Sequence, residues 1–495
     1  MELDDGSRLV DRIRNNATAA VSDEMSKLDS LQQELEYKRQ TQALQELLGK
    51  NAFMPIKISS TIVQGPDPIR DNVLQSYLDA TIYKASNLNQ LMYQSDVLHR
   101  LLVSQSLGES VTQTLDCRGT INAPISSIQI PSIFHSNDAP QNLSVLDILH
   151  RLQIDPVKRF SAKTGTNIGN GEGDGYLQFQ WRNILGGGEK ITLDATKGTK
   201  THSSYLLNYT TPVNPWWMGD LTAFKNAVQL GKAELYTRGF KTSLRSMFLD
   251  KRSWNHEFNI ESVLRTTSNR NPQASDSLLL QCGDDFKNSI SHAISRDSRD
   301  NAIFPSRGQY IKLFNELSLG TYWKSILEFT DAKSWLDKDF ITMSTTIKGG
   351  YIANLNSDNK FIHMKDKFHS GGSNDVRGFQ QMGLGPRDIY DSIGGDTFVA
   401  YGISVFSRLP VNKWSNSGFR LHWFLNGGRL INHNNSDLSG VLDQLCMEHS
   451  IATGIGILFK HPVARFELNF TLPLAAHSSD SVRKGFQYGI GLSFL

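Results

Sequence analysis

The sequence is poor in the features that mark several common classes of protein. Its three cysteines, Cys117, Cys282 and Cys446, are far apart and form no C-x-x-C pair, which argues against a disulfide framework or a zinc site. Lys and Arg total 51 against 49 for Asp and Glu, so the chain has no strong field to attract nucleic acid. No run of about eighteen apolar residues occurs, and no transmembrane helix is expected. If the chain crosses a membrane, it must do so as a closed β-barrel.

Catalytic and cofactor motifs are also missing. The sequence contains no H-E-x-x-H, no G-x-S-x-G and no Walker A loop, each of which holds reactive groups at a fixed spacing. The glycines of the segment 169–175 are spaced like those of a phosphate or calcium loop. They occur once, between two alternating segments, which favours a tight hairpin turn. We therefore expect a protein that is not an enzyme and that needs neither a metal nor a cofactor.

The N-terminal region, residues 1–51, predicts a helical arm. Early acidic residues, Glu2, Asp4 and Asp5, and the lack of an apolar stretch argue against a secretion signal. Six leucines, spaced mostly three or four residues apart among polar residues, predict an amphipathic helix: Leu28, Leu31, Leu35, Leu44, Leu47 and Leu48. This helix would be either a docking arm or a solvated cap on the next domain.

Residues 52–154 predict a small α+β domain. An extended run from Ile56 to Val63 precedes two helical stretches, at roughly 68–81 and 87–106. Two short strands follow, at about 111–117 and 143–151. The resulting order is strand, helix, helix, strand, strand.

Residues 155–495 predict a transmembrane β-barrel. Helical periodicity ends near residue 158, and apolar and polar residues then alternate, as in the run from Arg465 to Leu472. About 340 residues at roughly 21 per strand and loop give about 16 antiparallel strands, an even number typical of such barrels. A soluble sandwich or lipocalin-like barrel alternates too, but it would bury the apolar face. The absence of helical inserts and linker composition favours the single transmembrane barrel.

Several motifs occur together in this chain. A V-R-G-F tetrapeptide at 376–379 follows a glycine-rich run, a D-x-x-x-x-P-x-x-G turn spans 300–308, and an F-x-N-x-G strand lies at 424–428. With these motifs the chain resembles the BamA-type outer-membrane assembly superfamily, and the domain at 52–154 is similar to its polypeptide-transport-associated (POTRA) domains. The resemblance covers about 440 residues, all but the N-terminal arm, and implies a barrel preceded by one POTRA domain.

The resemblance also implies roles for residues of the long loop. Val376, Arg377, Gly378 and Phe379 would lie in a loop that folds back into the barrel. A desolvated guanidinium needs an acceptor, and the family places one on the F-x-N-x-G strand, which here is Asn426. Many relatives carry Asp at that position, so we expect a hydrogen bond to replace a salt bridge in this chain.

The last strand, Gly485 to Leu495, fits the mitochondrial β-signal, polar-x-Gly-x-x-hydrophobic-x-hydrophobic. Its predicted signal residues are Gln487, Gly489, Leu492 and Phe494. Closing the barrel would join this strand to the first strand, and glycines in the last strand weaken the packing between them. We therefore predict a lateral gate, whose first-strand side comprises Phe160, Ala162, Lys163, Gly165 and Thr166.

The predicted function follows from the β-signal and the gate. The chain resembles the core subunits of the mitochondrial sorting and assembly machinery, which implies an insertase in the mitochondrial outer membrane with its POTRA domain in the intermembrane space. Implied partners are unfolded β-barrel precursors, two peripheral cytosolic subunits and the lipid bilayer, but no nucleic acid. A diffusion channel of the porin type is the main alternative. A bacterial two-partner secretion barrel and, more remotely, a soluble enzyme also stay open.

Overall fold

The structure is a computed structural model that describes most of the chain in two compact units. The described residues are 35–36, 38–43, 46, 49–65, 69–124, 142–169, 172–198, 203–230, 233–269, 274–336, 340–355, 362–389, 391–409, 417–433, 438–461, 464–491 and 495. The main boundary between the units falls between Pro156 and Val157. Of the predicted N-terminal helix, the described residues from 35 to 46 are helical, and the rest lies outside the described residues.

The first unit is a small α+β fold. Its elements are β1 (Ile56–Gln64), α1 (Asp71–Ala80), a short 3-10 helix (Ile82–Lys84), α2 (Leu88–Ser104), β2 (Ser110–Pro124) and β3 (Asn142–Asp155). The strands form a sheet in the order β1-β3-β2, with β3 parallel to β1 and antiparallel to β2. α2 buries Leu91, Leu98 and Leu102, which helical periodicity places on one face. The predicted order of strand, helix, helix, strand, strand is thus observed.

The second unit is built on one large sheet. Within the described residues, sixteen strands pair antiparallel in chain order from β4 to β21, apart from the separate hairpin of β15 and β16. Their bounds are β4 (Phe160–Gly169), β5 (Glu172–Arg182), β6 (Lys190–Gly198), β7 (Ser204–Asn214), β8 (Trp217–Leu230), β9 (Ala233–Ser246), β10 (Asn255–Asn269), β11 (Gly283–Asp297), β12 (Gly308–Ser318), β13 (Tyr322–Trp335), β14 (Ile341–Asn354), β15 (Arg387–Asp388), β16 (Asp391–Ser392), β17 (Thr397–Arg408), β18 (Phe419–Ile431), β19 (Ser450–Lys460), β20 (Arg465–Ala475) and β21 (Gly485–Gly491).

The expected absence of helical inserts is wrong, because two helices lie between strands of this sheet, α3 (Asp276–Leu279) and α4 (Leu438–Cys446). None of the helices in the described part of the chain is long and apolar enough to cross a membrane.

The sheet reverses the usual distribution of polar and apolar residues. In β20, buried and exposed positions alternate from Arg465 onward, and the buried ones are polar. Glu467 is 3% exposed, whereas Leu468 is 52% exposed. A soluble sandwich would bury the leucine, so this pattern is that of a barrel whose apolar face meets lipid. We call the polar, buried face the lumen face.

The lumen face is concave. The turn between β11 and β12 packs Phe304 against Phe406 of β17, with ring centroids 5.0 Å apart, and against Leu458 of β19. These strands are distant in the sheet order, so only a strongly curved sheet brings them together. Asp300 shapes the turn, because its Oδ1 accepts hydrogen bonds from the N–H groups of Ser306 (2.8 Å) and Arg307 (3.1 Å). The D-x-x-x-x-P-x-x-G motif therefore forms a turn that reaches across the lumen face.

Lipid contact can be tested at Leu468. In a soluble protein a half-exposed leucine tolerates lysine, but on a lipid-facing strand the charge costs about 2 kcal/mol or more near the bilayer centre. We expect Leu468→Lys to lower the free energy of unfolding in lipid vesicles by that amount, as measured by urea titration. Leu468→Val is the control and should change little. Equal stability of the lysine and valine variants would contradict a lipid-facing β20.

Candidate functional site

The predicted motif lies in the loop between β14 and β17, residues 355–396, which we call the lumen loop. Val376 and Phe379 are fully buried and Arg377 is 1% exposed. The motif packs in one cluster with Ala400 of β17 and Ala452 of β19. Since a tetrapeptide on an exposed loop would be solvated, this burial shows that the loop folds onto the lumen face.

The guanidinium of Arg377 forms an ion pair with Glu467 of β20. Its Nε and Nη2 atoms donate to Glu467 Oε2 at 3.1 and 3.0 Å, and its Nη1 donates to the carbonyl of Leu495 at 2.9 Å. The guanidinium also lies over the ring of Phe424, 4.9 Å from its centroid, a favourable cation–π geometry. Charge, hydrogen bonds and ring contact together compensate the desolvation of this cation.

Glu467 is itself the centre of a buried polar cluster. It is also in an ion pair with Arg465 of the same strand, and Asn469 Nδ2 donates to its Oε2 at 2.9 Å. His422 Nδ1 lies 3.9 Å from the same oxygen. Sequence reasoning missed Glu467. The available signal was a carboxylate within the polar row of an alternating strand, but nothing local ties that row to Arg377.

Asn426, the predicted partner of the loop, contacts Arg377, but not through the guanidinium. We expected its hydrogen bond to Arg377 to replace a salt bridge, but a salt bridge is present, with Glu467. Asn426 binds the backbone instead. With its amide oriented to satisfy both neighbours, its oxygen accepts from the Arg377 N–H at 2.8 Å and its nitrogen donates to the Ala452 carbonyl at 3.2 Å. The reason is electrostatic, because a buried guanidinium is best compensated by a carboxylate, and the curved sheet places one on β20.

The predicted signal residue Gln487 of β21 is joined to the same motif. The Gly378 N–H donates to Gln487 Oε1 at 3.0 Å, and Gln487 Nε2 donates to the Phe379 carbonyl at 3.2 Å. Backbone bonds continue this contact, because the Arg483 N–H donates to the Gly378 carbonyl at 2.8 Å. Gly378 adopts a φ of +88°, and an added Cβ would lie 2.6 Å from the Cβ of Ala452. The motif thus holds the start of the last strand through contacts that require glycine.

The remaining gate residues lie on the last and first strands. In β21, Gly489 pairs with Glu467 of β20, and Leu492 and Phe494 are outside the described residues. The first-strand residues lie in β4, where Phe160 stacks on Phe179 with centroids 6.0 Å apart. The other four predicted first-strand residues pair with β5 through the backbone ladder: Ala162↔Phe179, Lys163↔Gln178, Gly165↔Tyr176 and Thr166↔Gly175. Within the described residues no ladder joins β4 to β21, so the structure does not bring the two predicted sides of the gate together.

The side chains of the site offer hydrogen bonds and ion pairs. Within the described residues, no group of three or more His, Cys, Asp or Glu side chains could hold a metal ion. The side chains around Arg377 bind one another and the backbone of the lumen loop. The arrangement can therefore hold a loop and a strand in place.

Fold and site together define an outer-membrane β-barrel of the assembly type. Residues 183–494 match the model of the Omp85 superfamily domain. The chain is 41% identical to the sorting assembly machinery 50 kDa subunit of Saccharomyces cerevisiae, over 90% of this chain and 95% of that protein. It is 28% identical to the sorting and assembly machinery component 50 homolog of Homo sapiens, over 84% and 85% of the two chains.

A solved structure shares the fold. BamA from Haemophilus ducreyi lacking POTRA domains 1–3 aligns with a TM-score of 0.63 at 15% identity, over 88% of this chain and 84% of that one. The chain belongs to the Omp85 superfamily and, within it, to the family of the sorting and assembly machinery 50 kDa subunits. The resemblance inferred from the sequence motifs is thereby confirmed.

The contact between Gln487 and the lumen loop is testable by hydrogen exchange. Gln487→Leu leaves the Gly378 N–H and the Phe379 carbonyl without their side-chain partner, at a cost of about 1–3 kcal/mol for each unsatisfied group. We expect amide exchange at Gly378 to accelerate at least about tenfold, while exchange in β10 to β13 stays unchanged. Phe486→Leu, on the exposed face of the same strand, is the control. Unchanged exchange at Gly378 in Gln487→Leu would contradict the contact.

Proposed function

We propose that this protein folds β-barrel precursors and inserts them into the mitochondrial outer membrane. Family membership and the names of the relatives, which are subunits of a sorting and assembly machinery, support this function. The observation that carries it is the buried contact of the V-R-G-F loop with the last strand, through Gln487 and the Arg377–Glu467 pair. The loop holds the last strand, β21, in place. Such a loop suits a protein that exchanges strands between its first and last strands.

The mechanism that we propose is strand exchange at a lateral gate between β4 and β21. An edge strand in lipid exposes about five backbone groups that lack partners, each at a cost of several kcal/mol. An incoming strand that carries a β-signal can satisfy those groups on β4 by β-augmentation. Folding of the precursor then supplies the free energy, and no nucleotide hydrolysis is needed.

The last strand has a defined place in this mechanism. β21 is bound to β20 over the ladder from Arg465 to Thr471 and to the lumen loop through Gln487. The incoming strand therefore needs to displace β21 only from β4. In this proposal β21 and the lumen loop form the fixed side of the gate, and β4 is the side that accepts the precursor.

The α+β unit and the N-terminal arm complete the proposal. We assign the unit as a single POTRA domain that faces the intermembrane space, where precursors arrive. In its sheet β3 is central, so β1 and β2 each have one edge without a strand partner within the described residues, and an extended precursor can pair with such an edge. The proposed partners are unfolded precursors and the two peripheral cytosolic subunits of the complex.

A diffusion channel of the porin type is the competing function. A pore needs neither the α+β unit nor a loop buried against the lumen face. Deleting residues 1–152 should leave the conductance of a pore intact but slow precursor insertion, which separates the two functions.

Crosslinking tests the proposed gate directly. The three native cysteines are exposed and are first replaced by serine. Lys163→Cys on β4 is then combined with a cysteine in the β-signal strand of an arrested precursor, and a short bis-maleimide joins nearby thiols. We expect a precursor crosslink that competes with an internal crosslink between Lys163→Cys and Gly491→Cys. If only the internal crosslink forms, the gate is wrong and the channel is the better account.

A further inference from the structure

A second buried ionic cluster holds the base of the lumen loop, on a different part of the sheet from the V-R-G-F motif. Asp366 is 7% exposed. Its carboxylate accepts from Arg265 Nη1 at 2.7 Å and from Lys287 Nζ at 3.0 Å. Its backbone carbonyl accepts from Lys324 Nζ at 2.8 Å. One loop residue therefore receives three cations, which come from β10, β11 and β13.

The cations of this cluster are shared with acids of the sheet. Arg265 Nη2 lies 2.9 Å from Asp285 Oδ2, and Lys287 Nζ lies 2.6 Å from Glu316 Oε1. Burial acts to raise the pKa of Asp366, but Lys287 and Arg265 outweigh it and hold the pKa at about 2. Asp366 is therefore ionised throughout the physiological range, and the bonds to the loop are charge-assisted.

Apolar contacts surround the cluster. The side chains of Ile362 and Phe368 pack with Tyr322 and Ile352, and Lys324 Nζ lies 4.6 Å from the centroid of the Phe368 ring. The N–H of Asp366 donates to the His363 carbonyl at 2.8 Å, which closes a tight turn. The base of the loop is thus held by apolar packing and a backbone hydrogen bond as well as by ion pairs.

The two clusters lie on different parts of the curved sheet. Asp366 is held by β10, β11 and β13, whereas Arg377 and Gln487 meet at β20 and β21. In the sheet order, β14, β17, β18 and β19 lie between β13 and β20. Only eleven positions along the chain separate Asp366 from Arg377, so the segment between them joins two separate parts of the sheet.

We propose that Asp366 is a positioning residue that makes the lumen loop a strut, anchored on β10–β13 at one end and on β20–β21 at the other. A site on a loop keeps its geometry only when rigid elements support it. With one anchor alone, the V-R-G-F motif would separate from the last strand when the contact between β4 and β21 rearranges. With two anchors, the motif stays against β21. The consequence for insertion rests on the proposed function, but the positioning itself does not.

The test compares two isosteric variants of the full-length protein in lipid vesicles. Asp366→Asn removes the charge that binds the loop. Glu316→Gln removes one negative charge from the same cluster, but Glu316 lies on β12 and its ion pair is with Lys287 of β11. Hydrogen exchange is measured at the amides of Gly378, Gln380 and Gly383, which bind Gln487, Ser481 and Gln380.

We expect Asp366→Asn to accelerate exchange at Gly378–Gly383 at least about tenfold, because breaking a buried ion pair frees the anchored segment. Glu316→Gln should change exchange there less than about threefold, and Asp366→Glu should restore most of the protection. If Asp366→Asn affects only residues 362–368, or if both variants act equally on 378–383, the strut is wrong. Should Asp366→Asn fail to assemble, Lys324→Met removes the bond to the Asp366 carbonyl and the contact of the ammonium with the Phe368 ring, leaves the Asp366 carboxylate in place, and allows the same comparison.

This readout is independent of insertion. If the protein with native Asp366 forms no precursor crosslink, while Asp366→Asn still accelerates exchange at Gly378, the result counts against the proposed function alone. Unchanged protection at Gly378 in Asp366→Asn, or in Lys324→Met where it replaces that variant, would count against the strut alone.

Discussion

The buried ion pair between Arg377 and Glu467 is the interaction on which the arrangement of the lumen loop depends. A guanidinium that is 1% exposed is stable only with full electrostatic compensation. Glu467, the Leu495 carbonyl and the Phe424 ring supply it. The pair brings the loop onto β20, and from there the backbone of Gly378 and Phe379 meets Gln487 on β21. The position of the last strand thus follows from the burial of one cation.

The alternating strands make such a site available. In strands such as β20, apolar side chains point outward and polar ones point toward the lumen face, so charged residues are buried without disturbing the lipid-facing surface. Arg465, Glu467 and Asn469 occupy successive inward positions of one strand. The same alternation on β10 to β13 supplies the cations that hold Asp366. The alternation of polar and apolar residues therefore produces both the ionic clusters and the lipid-facing surface.

The sequence predicts the local features of this protein, but it does not determine which residues contact one another across the sheet. The number of strands and the order of the α+β unit could be predicted, because alternation and helical spacing are properties of neighbouring residues. Gln487 was predicted as a signal residue, but its partners Gly378 and Phe379 were not. Glu467 and Asp366 were missed, and Asn426 contacts the backbone of Arg377 rather than its guanidinium, because curvature of the sheet decides which lumen-facing groups meet.

The most direct measurement is a double-mutant cycle on Arg377→Gln and Glu467→Gln, with the insertion rate of a β-barrel precursor into vesicles as the readout. If the pair acts as one unit, each single variant should slow insertion strongly, and the double variant should be no slower than either. Purely additive effects on the activation free energy would contradict the account, because they would mean that the two residues act independently. Heat-resistant folding of each variant on gels confirms that an assembled barrel is being compared.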